Sequence, residues 1–278
     1  MTQTSMTQTS LPFARISLKW SMIDAPDLSI ADTFALLAEI GYDGVEIDAP
    51  GDLDLGQLRT ASAATGVALP GVINSRHWSH PLSSNDPEIR AAGVKGMIEA
   101  LETAREIGAE TALLVPGAVG PEVSYATAWD RAIAGLEQIL PHAERTGITI
   151  GIENVWNNFL LSPLEARAFL DHFNHPLLGW YFDVGNVLRN GFPTDWIEVL
   201  GPRIRRIDLK EYSRVKMDAE GPWKGFDVEL GEGDCNWSAV NKALKSVGYS
   251  GWASIEVPGG GADRLADILA RARALAAL

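Results

Sequence analysis

Ile-Thr-Ile-Gly-Ile-Glu-Asn, residues 148–154, reads as an apolar strand that stops on a single acid, Glu153. Three later stretches stop the same way: Leu178 to Asn186 reaches Asp183, Ile204 to Lys210 reaches Asp208, and Trp252 to Val257 reaches Glu256. A carboxylate left unpaired in apolar surroundings is costly or must take up a proton. Four strand ends of this kind in succession point to a common cation.

Outward from that stretch, strand and helix signals alternate. Upstream lie a strand from Arg15 to Trp20, a helix from Ser29 to Ile40 stopped by Gly41, a strand from Gly44 to Asp48, a helix from Asp54 to Thr65 and a strand from Val67 to Ile73. A long helix, Pro87 to Ile107, follows a capping Asp86, then come a strand from Thr111 to Val115 and a helix from Ser124 to Arg145. Downstream, helices are predicted at 163–172, 194–200, 236–247 and 262–278, the last patterned for packing. Ile40-Gly-Tyr-Asp-Gly-Val-Glu-Ile is echoed by Val247-Gly-Tyr-Ser-Gly-Trp-Ala-Ser-Ile-Glu, and both carry the glycine turn chemistry of a helix-to-strand loop. Eight strand and helix pairs predict an α/β fold, a single closed (β/α)8 barrel, because parallel strands need crossovers and cover on both faces. The rival, an open doubly wound sheet, would want a Gly-x-Gly-x-x-Gly after the first strand, and none is there.

Composition narrows the classes. The 278 residues, 46% hydrophobic, suffice for one large core, so residues 13–278 are expected to form one barrel domain behind a disordered tail at 1–12 that repeats Met-Thr-Gln-Thr-Ser. A net charge of −13 opposes binding to nucleic acid, and the densest basic cluster, Arg203, Arg205 and Arg206, straddles a strand. No stretch approaches a membrane span, and the lone cysteine, Cys235, excludes an internal disulfide and fits the cytoplasm. A homo-oligomer is left open.

In a barrel the carboxyl ends of all strands meet on one face, so Glu153, Asp183, Asp208 and Glu256 should converge. Hard oxygen donors of this kind suit Mg2+ or Mn2+ better than zinc. The bland alternative is that each acid pairs with its own Arg or Lys.

Gly-Tyr-Asp-Gly-Val-Glu at 41–46, Ile-Glu-Asn at 152–154, Phe-Asp-Val-Gly-Asn at 182–186, Gly-Glu-Gly-Asp at 231–234 and Ser-Ile-Glu-Val at 254–257 resemble the sugar isomerase/epimerase superfamily with the xylose-isomerase-like TIM barrel. That superfamily spans ketose 3-epimerases, hydroxypyruvate and inosose enzymes, and an apurinic endonuclease branch. The resemblance implies a small-molecule carbohydrate substrate, sugar or sugar phosphate, and one divalent ion, Mn2+ or Mg2+, held by Glu153, Asp183, Asp208 and Glu256. It further implies that Glu153 and Glu256 act as acid and base on opposite faces of the substrate, removing a proton beside a carbonyl through a metal-stabilised enediolate. One departure stands out: the family pattern resembles His-x-Lys-Asp where this chain reads Asp208-Leu-Lys-Glu211. Four carboxylates around a dication leave two surplus negative charges, for which Lys210 and Arg214 are the nearest compensating cations in sequence. A lyase or dehydratase acting on a keto-sugar or cyclitol would share the enolate step, and a metal-poor homologue without catalysis would follow if Asp208 has another partner.

Around this centre, His77 and His80 on the loop after the third strand, Glu46 at the second strand, Trp156, Asn186, Lys210 and Arg214 are candidate substrate-binding residues. Trp78 could wall the pocket. His142, His172 and His175 fall on or after helices remote from the expected face, and Gly259-Gly260-Gly261 before the last helix is a weak match to a phosphate loop.

Overall fold

The apolar runs between glycine stops become strands Arg15–Lys19 (β1), Gly44–Ala49 (β2), Gly71–Asn74 (β3), Thr111–Leu114 (β4), Thr149–Glu153 (β5), Leu178–Asp183 (β6), Ile204–Leu209 (β7) and Trp252–Ile255 (β8). In the computed structural model, which describes Phe13 and residues 15–278, they close into a barrel in sequence order, every neighbour parallel and β8 paired back to β1. The expected tail at 1–12 lies outside the described residues.

Helices Ile30–Ile40 (α1), Leu55–Thr65 (α2), Pro87–Ile107 (α3), Tyr125–Thr146 (α4), Pro163–Phe173 (α5), Pro193–Leu200 (α6), Arg214–Glu220 (α7), Trp237–Ser246 (α8) and Ala262–Ala276 (α9) follow the strands. Their starts are set by side chains that accept the free backbone N–H groups of the first turn: Ser29 takes Asp32 N, and Ser162 with Glu165 forms a reciprocal capping box. Gly41 ends α1 at φ 101°, a left-handed turn that a side chain would strain.

Two elements differ from the sequence reading. The third strand starts at Gly71 rather than Val67, because Pro70 has no N–H to give the ladder and residue 68 touches β2 only through an isolated bridge at Gly44. Between β7 and α8 the chain makes an unforeseen excursion, α7 and then a 3-10 turn at Pro222–Phe226.

Strand register sorts the acids by height. Glu153 and Asp183 are the last residues of β5 and β6, Asp208 is paired with Asp183 one residue before the end of β7, and Glu256 follows β8 directly. Glu46 is different. It lies in mid-strand, third in β2, and so points into the sealed interior below the rim, where it is ion-paired with Arg206 and accepts from Tyr181 Oη at 2.8 Å and from Ser254 Oγ. Both members of the pair are fully buried. The expectation that Glu46 binds substrate is thereby corrected: the salt bridge consumes it. Arg206 also donates to Ser17 Oγ at 3.0 Å and to the Pro70 carbonyl at 3.2 Å, so a satisfied polar layer floors the cavity above.

Candidate functional site

At the carboxyl rim Glu153, Asp183, Asp208 and Glu256 each offer an oxygen, and the four oxygens lie within 4.8 Å of one another. Their approach is scaffolded from below by Asn154, whose Oδ1 accepts from Asp183 N at 3.0 Å and from Trp180 Nε1 at 3.0 Å while its amide donates to the Asp183 carbonyl at 2.8 Å. The ends of β5 and β6 are thus locked side by side. Asn186 N donates to Asp183 Oδ1 at 2.8 Å and fixes the carboxylate plane.

Two ammonium groups enter the cluster. Lys210 Nζ is 2.9 Å from Asp183 Oδ2 and 2.9 Å from Glu256 Oε1. Lys19, at the end of β1, is 2.9 Å from Asp208 Oδ2 and also ion-paired with Glu256. Lys210 was the expected counter-charge. Lys19 was not, and Arg214, the other expected one, turns away: its guanidinium donates to the Leu188 and Gly191 carbonyls at 2.8 Å each.

The electrostatics remain unbalanced. Burial pushes the Glu153 carboxyl up to about 8, opposed by Lys19 and assisted by Glu256 and Asp183. Burial likewise raises Asp183 and Asp208, whereas on Glu256 the two ammonium groups outweigh burial and hold the carboxyl well below its usual range. Asp208 Oδ1 is buried with no hydrogen-bond partner, and Asp183 Oδ2, though near Lys210, makes no aligned hydrogen bond. A buried orphan acceptor in a crowd of acids is what a cation would relieve. Fully ionised, as ion binding would require, four carboxylates and two ammonium groups leave two negative charges, the charge of one dication. The residues therefore fit a divalent ion, with Lys19 and Lys210 offsetting two of the four carboxylate charges.

Above the cluster opens a cavity of about 650 Å³ lined by Lys19, Glu153, Lys210 and Glu256 at its floor and by His77, Trp78, Trp156, Asn186, Trp223 and Phe226 on its walls. His77, Trp156, Asn186 and Lys210, substrate-binding candidates from the sequence, all line this cavity. Burial and Lys19 push the His77 imidazole down to about 4, so it is neutral at pH 7. His80 does not line the cavity; its Nδ1 is 2.8 Å from Ser79 Oγ, a local turn contact that corrects its assignment to substrate. The Gly259–Gly261 turn does not form a phosphate cradle. Gly260 N donates to the Met22 carbonyl at 3.0 Å, and a Cβ at Gly259 would meet that same oxygen at 1.8 Å.

The residues missed in the sequence are Lys19, Asn154, Trp223 and Phe226. Lys19 could have been found from the period of two along β1, since it shares the inward face with Ser17, whose hydroxyl meets that of Ser254 on the neighbouring β8 at 2.8 Å.

Fold and rim together define a (β/α)8 barrel with a carboxylate cage open to a cavity. The chain belongs to the xylose isomerase-like TIM barrel family, whose pattern matches residues 34–278. It is 29% identical over 254 residues to the L-ribulose-5-phosphate 3-epimerase UlaE of Salmonella typhimurium, covering 90% of this chain and 83% of that one. Among solved structures it superposes on a D-tagatose 3-epimerase-like protein at TM-score 0.79 with 22% identity, covering 94% and 95% of the two chains. It also superposes on the apo 3-keto-D-glucoside 4-epimerase YcjR of E. coli at TM-score 0.76 with 15% identity, covering 95% and 99%. Both structural likenesses bear on the fold. No helix among the described residues is long and apolar enough to cross a membrane.

Proposed function

We propose that the chain is a divalent-metal-dependent sugar epimerase that exchanges the proton on a carbon beside a carbonyl. The observation that carries this is the gathering of four buried or half-buried carboxylates at one rim of the barrel, an orphan acceptor among them, with Glu153 and Glu256 reaching the cavity above. The curated relative named as a 3-epimerase supports the reaction class. The free, buried Cys235 is in keeping with a reducing, cytoplasmic setting.

Glu153, Asp183, Asp208 and Glu256 would hold an Mn2+ or Mg2+ ion, which when bound supplies positive charge to polarise a carbonyl and steady the negative charge left by the departing proton. The chain's own groups do the rest. Glu153 and Glu256 both border the cavity and are the two proton carriers, one taking the proton and the other returning it to the opposite face. Lys210, ion-paired with both Asp183 and Glu256, holds these carboxylates in place, and Asn186 and neutral His77 offer hydrogen bonds to substrate hydroxyls from the wall.

Incubation of the Mn2+-supplemented protein with a panel of ketoses in heavy water tests the reading. Deuterium is expected at the carbon next to the carbonyl, together with the epimeric sugar. Loss of water or of a substituent would move the assignment to a lyase, and absence of exchange with every ketose would leave a metal-poor homologue in which Lys19 permanently occupies Asp208.

A further inference from the structure

The walls of the cavity are built for more than one small polar ring. Its volume of about 650 Å³ falls in the range of roughly 300–1,000 Å³ that encloses drug-sized ligands. Two large aromatic rings stand exposed in its lining, Trp78 at 58% after β3 and Trp223 at 70% after β7. Exposure on this scale would follow from a floppy loop, but the loop bearing Trp223 is tightly made. Buried Glu211 accepts from Gly231 N at 2.8 Å, Cys235 N at 3.2 Å and Trp237 Nε1 at 2.8 Å, and Ser213 N donates to the Gly225 carbonyl at 2.7 Å. A Cβ at Gly225 would sit 2.3 Å from the Tyr212 ring, so the turn closes directly on that ring. Trp223 and Phe226 are braced in turn by Trp156, with centroids 4.7 and 4.8 Å away, and Trp156 is fixed by its Nε1 bond to the Asn186 carbonyl at 2.9 Å. Rigid, uncovered aromatic rings at a cavity mouth are a ligand platform.

Charge decides what the platform accepts. The two cations lining the cavity, Lys19 and Lys210, are each already shared between two carboxylates, and Asp48 adds a further acid. The glycine turn that could have cradled a phosphate is closed on the backbone of residues 22–24. With a dication balancing the cage, a phosphate on the substrate would meet the Asp48 carboxylate and no unshared cation among the lining residues, Arg189 lying outside that lining and stacked on Trp156 at 4.7 Å, whereas a second uncharged ring could lay its apolar face on Trp223 and Phe226.

We infer that the substrate is an unphosphorylated keto-sugar carrying a second uncharged ring, glycosyl or aryl, which stacks on Trp223 and Phe226 opposite Trp78. The inference rests on the epimerase reading for the keto-sugar half; the ring platform stands independently of it.

Calorimetric titration of the full-length Mn2+-supplemented protein with a series sharing one ketose tests it: D-fructose, and its O6-substituted forms D-fructose 6-phosphate, isomaltulose and 6-O-benzyl-D-fructose, the last three alike in being barred from the pyranose ring. Isomaltulose or the benzyl ether is expected to bind about tenfold tighter than fructose, and the phosphate more weakly than fructose. The two ring-bearing arms distinguish a glycosyl from an aryl occupant. In Trp223→Ala, a position 70% exposed, checked for an unchanged melting curve, the affinity ratio of the ring-bearing ligand to fructose should fall toward one. Tightest binding by the phosphate, equal or absent binding across the series, or a ratio unchanged in the variant overturns the inference. Should heavy-water exchange fail for all ketoses while the affinity order holds, the reaction assignment falls and the platform survives.

Discussion

Glu153→Gln is expected to lower proton exchange into substrate by about 10²–10⁴-fold, the span that a positioned general acid or base contributes. The amide keeps the side chain's shape and can still fill the end of β5, but it neither accepts nor returns a carbon-bound proton. The folded chain should tolerate it well. Burial and the neighbouring Glu256 and Asp183 already disfavour a charge at Glu153, which is why its carboxyl is pushed up to about 8. At neutral pH, above the ordinary carboxylate range, that raised value counts against the folded state, so removing the titrating group should hold or raise the melting temperature. Lost exchange with an unchanged melting curve is thus the expected pair of results. A rate within tenfold of the parent would remove Glu153 from the chemistry.

The second large effect falls on stability. Glu46→Gln leaves the Arg206 guanidinium fully buried with no counter-charge, and breaking a buried pair from one side costs about 3–5 kcal/mol. At roughly 2–4 °C per kcal/mol for a domain of 150–250 residues, thermal unfolding should come some 6–20 °C earlier. Tyr181 Oη and Ser254 Oγ would still have an amide oxygen to donate to, so the loss reports the charge and not the hydrogen bonds. The double variant Glu46→Leu, Arg206→Met should recover most of it, because well-packed apolar residues often replace a buried pair at little cost. A melting temperature unchanged by Glu46→Gln would show that the pair is not the barrel's electrostatic floor.

The contrast between Glu46 and the rim acids shows what the sequence could carry. An acid closing an apolar run is visible as a strand end, and closure of the barrel converts four such ends into one place. Glu46 also follows a Gly-Tyr-Asp-Gly turn in an apolar run, but β2 continues through Ala49, so the acid sits below the rim. Its place two residues before the expected strand end already set it below the rim; what the sequence did not show is Arg206, which reaches it from β7, 160 positions away. Lys19 was hidden for a different reason. A lysine beside Trp20 at the edge of a strand reads as solvated, and only the β1 to β8 pairing, Leu18 opposite Ile255, brings it to Glu256 and Asp208. The excursion at 211–236 was opaque because its order comes from one buried acid, Glu211, gathering backbone N–H groups up to 24 residues away rather than from a periodic pattern.

On the proposed reading the cage takes one doubly charged ion with Asp208 among its ligands, Lys19 and Lys210 balancing the excess charge. Calorimetric titration of the chelator-treated protein with Mn2+, run beside Lys19→Met, tests it most directly. One ion per chain is expected for the parent, and about tenfold tighter binding for the variant, because a like charge next to the ion has been removed. No saturable Mn2+ or Mg2+ binding in either protein would mean that these four acids do not form a metal site.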